Sequence, residues 1–291
     1  QKMLMRHFVK LPLLLIGLGF LFWWGWSGSF SLNSGALFTI NNMETFYRLE
    51  LGNKPMGWAK RKVFDGPAEG LVTILEESLL KLTLMGSEQN IRTISETVFD
   101  ERGRLISADF TVPLGSLSAG ASAKVESDRL FSTVSFGEQS RTVDLSVPDN
   151  GPLLVSALLP WLGHQRDLPL GRPLGVTLFD PLSSEFKSAQ LIIEDASSID
   201  SEIQTFKLTL KFLSSENVMW IDADGRLVKQ LNASLQAGLS LLYDEQQISQ
   251  ARKALSETTK TIEITGPLAD MISKAFNEKG LELLNSFIGQ Q

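Results

Sequence analysis

The sequence predicts a mainly β protein: a single N-terminal transmembrane helix, two duplicated antiparallel β lobes of half-barrel or sandwich-like form, and a helical C-terminal tail. Three observations predict it. An uncharged apolar run of helical length stands near the start, period-two alternation recurs through the middle, and the end carries apolar residues at helical spacing. The expected organisation is a cytoplasmic N-terminus at 1–10, an anchor at 11–30, a linker at 31–43, a first lobe at 44–150, an apolar connector at 151–168, a second lobe at 169–245 and a helix–strand–helix tail at 246–291.

The anchor is the first element. Leu11–Phe30 (LPLLLIGLGFLFWWGWSGSF) is 20 residues without a charge, and the next ionisable side chain is Glu44. At about 1.5 Å per residue such a helix spans about 30 Å, the thickness of a hydrocarbon core. Leu13, Leu14, Leu15, Phe20 and Phe22 would face lipid, and Trp23, Trp24 and Trp26 would sit at the far interface. Lys2, Arg6 and Lys10 precede the run, so the positive-inside bias exports the rest of the chain. A cleaved signal peptide is the competing reading, but its apolar run is shorter and ends in small residues rather than three tryptophans. A buried core helix is a poorer reading, since no charge interrupts the run. Ser27–Asn42 reads as a polar linker.

Strands follow. In Phe206–Phe212, Phe206, Leu208, Leu210 and Phe212 share one face while Lys207, Thr209 and Lys211 take the other. Thr142–Val147 aligns Val143, Leu145 and Val147, and Phe131–Phe136 and Thr261–Ile264 alternate similarly. Turn clusters separate such segments, among them Gly52–Pro55, Asp65–Pro67 and Pro148–Gly151. Helices are expected at Gly151–Leu162, broken by Pro160, at Gln246–Thr258, and at Pro267–Ile288. In the last, Leu268, Met271, Ile272, Ala275 and Phe276 form a stripe that Leu281, Leu284, Phe287 and Ile288 continue past Gly280.

An internal duplication organises the body. Phe99-Asp100-Glu-Arg-Gly103-Arg104-Leu105-Ile106 matches Ile221-Asp222-Ala-Asp-Gly225-Arg226-Leu227-Val228. Asp100 and Asp222 would cap turn amides, and Gly103 and Gly225 would supply the backbone bend that closes a hairpin. Upstream of each lies a second match, Leu51–Gly57 and Leu170–Gly175. This order of motifs resembles the β-rich exported region that precedes the catalytic domain in bacterial transglutaminase-like proteins. It is similar, more distantly, to the half-barrel periplasmic carriers and chaperones of the lipoprotein-localisation type. The residues carrying the resemblance are Gly52–Gly57, Asp100–Ile106, Gly171–Gly175 and Trp220–Val228. The carriers imply a cavity for acyl chains. The transglutaminase-like catalytic domain needs a cysteine nucleophile, and this chain has none, so its activity is not implied.

Composition excludes much chemistry. Zero cysteines remove disulfides, zinc–cysteine sites and thiol catalysis, and only two histidines, His7 and His164, remain for a base or ligand. The net charge is −6, and without the three N-terminal cations the exported part carries −9, which argues against a nucleic-acid partner and against recruitment by an anionic leaflet. His164 stands three residues before Asp167, but no Gly-x-Ser-x-Gly nucleophile elbow occurs, and Gly115–Gly120 has the wrong spacing for one. Asp222 and Asp224 resemble the start of a calcium loop that lacks its other oxygen ligands. Glu76, Glu77 and Glu185 could serve glycoside chemistry, but nothing places two of them across a sugar, and solvated strand edges explain them better. Asn232-Ala-Ser234 matches a glycosylation sequon. No catalytic residue, cofactor or metal is therefore predicted.

Three function classes fit these features. The leading one is a membrane-anchored periplasmic module, a subunit of an envelope complex, that binds without catalysis. Its partners would be the bilayer and an envelope protein, and its candidate interface is the connector with Leu154, Leu158, Trp161 and Leu162. The alternatives are a carrier of lipid or another apolar ligand, and an enzyme of unrecognised type.

Overall fold

The computed structural model describes residues 43–257 except 53, 85–86, 115–116, 149–153, 155–169, 181–183, 196–204, 213–214, 223–225 and 234–235. Among the described residues, fourteen strands and one helix stand in this order: β1 (Met43–Leu51), β2 (Lys54–Asp65), β3 (Leu71–Leu84), β4 (Ser87–Asp100), β5 (Leu105–Leu114), β6 (Leu117–Glu126), β7 (Arg129–Phe136), β8 (Gln139–Ser146), β9 (Leu174–Asp180), β10 (Glu185–Asp195), β11 (Thr205–Phe212), β12 (Ser215–Asp222), β13 (Leu227–Asn232), β14 (Ala237–Leu241) and α1 (Glu245–Glu257). The predicted anchor Leu11–Phe30, the strand Thr261–Ile264 and the helix Pro267–Ile288 lie outside the described residues. Among those described, no helix is long and apolar enough to cross a membrane.

All fourteen strands belong to one antiparallel sheet. The stretches expected to form two lobes lie in that sheet as two meanders, β1–β8 and β9–β14, joined where β1 pairs with β14 (Tyr47 opposite Leu241, Leu49 opposite Leu239). The reason is physical: an edge left unpaired at β1 would waste its backbone donors and acceptors, and β14 supplies them. The sheet also bends back on itself. Ser132 on β7, one strand from one end, meets Ser184 of the β9–β10 turn, at the other end, with hydroxyls 3.1 Å apart. The face this encloses, here called inner, holds the main core. It runs from Leu49 through Phe110, Val112 and Leu130 to Leu191, Leu208, Leu210 and Met219.

Alternation accounts for most of that core. Leu208, Leu210 and Phe212 are buried as their period predicts, with Phe206 half-buried. Three alanines of β6, Ala119, Ala121 and Ala123, leave room for bulky partners, and Ala121 stands opposite Phe110. At β7 the inward set is Leu130, Ser132 and Val134, while Phe131 points out, 37% exposed. On the opposite face α1 covers β1–β3. Its start is capped by Asp244, whose Oδ1 accepts the amides of Gln246 (2.7 Å) and Gln247 (3.2 Å). Its buried residues Ala251 and Leu255 pack with Phe46, Leu79 and Leu242.

The duplicated hairpins share one geometry. Asp100 N donates to Arg104 O and Asp222 N to Arg226 O, each at 3.0 Å. In both, the aspartate Oδ1 accepts the arginine amide and Oδ2 accepts its Nε. A register shift precedes each turn, at Val98/Phe99 and Trp220/Ile221. Gly103 takes φ 77°, where a side chain is strained; Gly225 lies outside the described residues. Between the paired motifs the copies diverge. The first runs through β2, β3 and β4, the second through β9, β10, β11 and β12.

Candidate functional site

The polar residues that matter lie on the inner face of β1–β4. Pairing sets Thr45, Arg61, Glu76 and Ser95 in one row across these strands. On β2 the inward positions are Ala59, Arg61 and Val63; on β3 they are Val72, Ile74, Glu76, Ser78 and Leu80. Arg61 and Glu76 thus occupy core positions, 1% and 3% exposed. Their nearest atoms, Arg61 Nη1 and Glu76 Oε1, are 3.0 Å apart. Yet Arg61 Nε, Nη1 and Nη2 and Glu76 Oε1 all lack a hydrogen-bond partner. Glu76 Oε2 accepts one bond, from Ser95 Oγ at 3.2 Å. One row along, Ser78 and Thr93 hydroxyls share a 2.6 Å bond. Tyr47, buried beside them, accepts from Thr45 Oγ1 at 3.1 Å.

The electrostatics follow from burial. Removal from water pushes Glu76 up from 4.5 to about 7, against the lowering by Arg61 and the Ser95 hydrogen bond. Burial likewise pushes Tyr47 up to about 12, opposed by Arg61 and by the bond from Thr45, and helped by Glu76 and Asp222. Tyr47 stays neutral at any ordinary pH, whereas Glu76 exchanges a proton near neutrality. Chemically the pair is a permanent buried cation beside a carboxyl poised to lose its charge.

The folded protein holds the Glu76 proton more tightly than the unfolded chain. The resulting stabilisation is whole below about pH 4.5 and is lost as pH rises through about 7, a span worth about 3 kcal/mol. Glu76→Gln keeps the shape without the proton. Urea unfolding from pH 5 to 8 is expected to show the variant gaining on the wild type as pH rises. Parallel curves for the two would refute it.

The residues singled out in the sequence fall elsewhere. Asp100 and Asp222 are turn residues, and Asp222 is committed to Arg226 (2.7 Å), which accounts for it without calcium. Among the described residues no cluster of three His, Asp or Glu side chains could hold a metal ion. Glu76 and Glu77, adjacent in β3, point to opposite faces. Glu77 pairs outside with Lys60 and Arg92, each at 3.1 Å, and Glu185 is exposed at the start of β10, so no two of the three flank a substrate. Asn232 of the sequon is buried and donates to Asn217 Oδ1 at 2.9 Å, which closes it to glycosylation in the folded protein. Leu154 of the candidate interface is 3% exposed and belongs to the main core. Leu158, Trp161, Leu162, His164 and Asp167 lie outside the described residues, as do Leu13, Leu14, Leu15, Phe20, Phe22, Trp23, Trp24 and Trp26.

Sequence reading passes over Arg61. The available signal is parity: in Ala59-Lys-Arg61-Lys-Val63 and Val72-Thr-Ile74-Leu-Glu76, a charge occupies a place in an inward apolar alternation on each of two neighbouring strands. Comparison of the chain with protein-family models, curated proteins and solved structures finds no match in any of the three.

Proposed function

We propose that this chain is a membrane-anchored module of the bacterial envelope that binds a protein partner without catalysis, as a subunit of a larger complex. In this reading Leu11–Phe30 crosses the inner membrane, residues 1–10 are cytoplasmic, and the β body is periplasmic, with its meanders as two lobes of a half-barrel or sandwich. The observation that carries the reading is the edge of β8, which among the described residues ends the sheet. Val147 N donates to Asp128 O, so the odd residues of this strand turn their amides to β7. The even residues, Thr142 and Asp144 among them, turn theirs outward, with exposed side chains. An outward row of donors and acceptors is a template for an added strand.

Two experiments test it. The chain has no cysteine, so Glu44→Cys is a unique label site. A membrane-impermeant maleimide should reach it from the periplasm in cells with a permeabilised outer membrane, and protection there would overturn the topology. Mild-detergent extraction with mass spectrometry should find a stoichiometric partner that Thr142→Pro releases without altering the circular-dichroism spectrum, since that proline removes an outward amide only. A partner retained by the variant would overturn the edge-strand reading, and stoichiometric lipid without a protein would replace it with the carrier reading.

A further inference from the structure

We propose that Arg61 marks a buried oxyanion site on the inner face of the sheet, where the guanidinium, beside Glu76 and Ser95, takes the carboxylate or phosphate group of a ligand. The proposal stands apart from the β8 reading. Its first ground is hydrogen bonding. A guanidinium presents five N–H donors in a planar fork, and a forked oxyanion is the acceptor that matches them. Here the whole side chain is 1% exposed, and although Glu76 Oε1 lies 3.0 Å from Nη1, none of its three nitrogens makes a hydrogen bond. Ordinary folding does not tolerate so many buried orphans.

The second ground is charge. Among the described residues, Glu76 is the one acidic side chain paired with Arg61, and Asp222 and Glu77 are engaged elsewhere. Asp222 accepts from Arg226 at both oxygens, and Glu77 lies on the other face with Lys60 and Arg92. Glu76 itself is driven toward the neutral acid by burial. The groups facing it are Arg61 from β2, Tyr47 from β1 and Ser95 from β4, with Asp222 acting on Tyr47 from the end of β12. A protonated Glu76 leaves one buried positive charge, and an entering oxyanion balances it. A ligand anion and an ionised Glu76 repel, so binding takes up a proton. The apolar cluster Val63, Val72, Ile74 and Phe99 adjoins the row. The oxyanion can therefore be free or the head of an amphiphile. Arg61 is sealed from solvent, so binding goes with an opening of the inner face and is read at equilibrium.

The test uses the full chain in a mild non-ionic detergent. Calorimetric titration with inorganic phosphate and with acetate reports a free oxyanion; mass spectrometry of the purified protein reports a retained fatty acid or phospholipid. The proposal expects one of the two. Acetate binding, whose ligand carries no titrating proton in this range, should fall by about tenfold for each pH unit above about 7, the slope of one linked proton. Arg61→Met should stay folded and lose binding by about tenfold or more. Glu76→Gln should still bind, without the pH slope. The proposal is overturned if wild type takes neither kind of ligand, if Arg61→Met binds equally well, or if Glu76→Gln keeps the pH slope. Collapse of the fold in Arg61→Met would also overturn it, because Arg61 would then be finding its acceptors within the protein.

Discussion

Arg61→Met is expected to stabilise the protein, by about 1–3 kcal/mol in urea unfolding at about pH 6, where burial keeps Glu76 largely neutral and the loss of the guanidinium leaves no unpaired charge behind. The expectation runs against the usual direction for a buried residue, since most substitutions in a core destabilise. It follows from what the guanidinium lacks. A buried charge is tolerable when its partner is well placed and every donor is bonded. Arg61 has a carboxyl oxygen at 3.0 Å but no hydrogen bond from any nitrogen. Methionine keeps an unbranched chain of similar reach and has no donor to strand. Its neighbours along β2, Ala59 and Val63, are apolar and buried, so the thioether meets a surface it suits.

The pH dependence of the effect is part of the expectation. Arg61 is the largest influence holding Glu76 down, so its removal lets burial push that carboxyl above its present value of about 7. Glu76 in the variant should stay neutral, and keep its bond from Ser95, to higher pH than in the wild type. The gain should therefore persist through neutrality rather than reverse there. A loss of stability at pH 6 would show that the guanidinium is satisfied within the fold, and would remove the ground for an oxyanion ligand. A residue that lowers stability while sitting at a core position is retained for something other than folding.

The local parts of this fold were legible and the long-range parts were not. Alternation in Phe206–Phe212 announced a strand and its inward face, because side-chain period is a property of the strand itself. The Asp–x–x–Gly–Arg hairpins were legible for the same reason: Asp100 and Asp222 satisfy amides within four residues of themselves. The helix expected at Gln246–Thr258 coincides with α1 to one residue at each end. Alternation is silent on partners. Nothing local in Tyr47 or Leu49 indicates that Leu241 and Leu239 lie opposite, across nearly the whole described chain. Arg61 and Glu76 needed both kinds of information. Parity puts each on an inward face, but only the β2–β3 register sets them side by side. Without that register Arg61 is one cation in a basic stretch, and Glu76 reads with Glu77 as a solvated edge.

Gly57→Ala and Gly175→Ala should behave oppositely, although the two glycines are matched in the sequence duplication. A Cβ on Gly57 would stand 1.9 Å from the carbonyl oxygen of Leu79 and 3.1 Å from Leu80 Cα. Both are backbone atoms of β3, which pairs with β2 at this point, Gly57 opposite Leu80. No rotamer relieves such a contact; the strands must separate. They are pinned on the other side as well, because β1 carries its register shift at Leu49/Glu50, and Leu49 faces Gly57. Alanine at 57 is expected to cost about 3 kcal/mol or more, at the upper end for an overpacked site. A Cβ on Gly175 meets nothing within 4 Å. Glycine there lies in β9, at the edge of the sheet, where it spends chain entropy without sparing a clash. Alanine should be neutral or stabilising by up to about 1 kcal/mol. Equal losses at both positions would mean that β9 is held as tightly as β2. The divergence argued from strand count, three strands against four between the paired motifs, would then lose its energetic counterpart. Unequal losses would show one motif drawing on two different physical requirements, close packing of backbones in the first meander and only a turn-flanking small residue in the second.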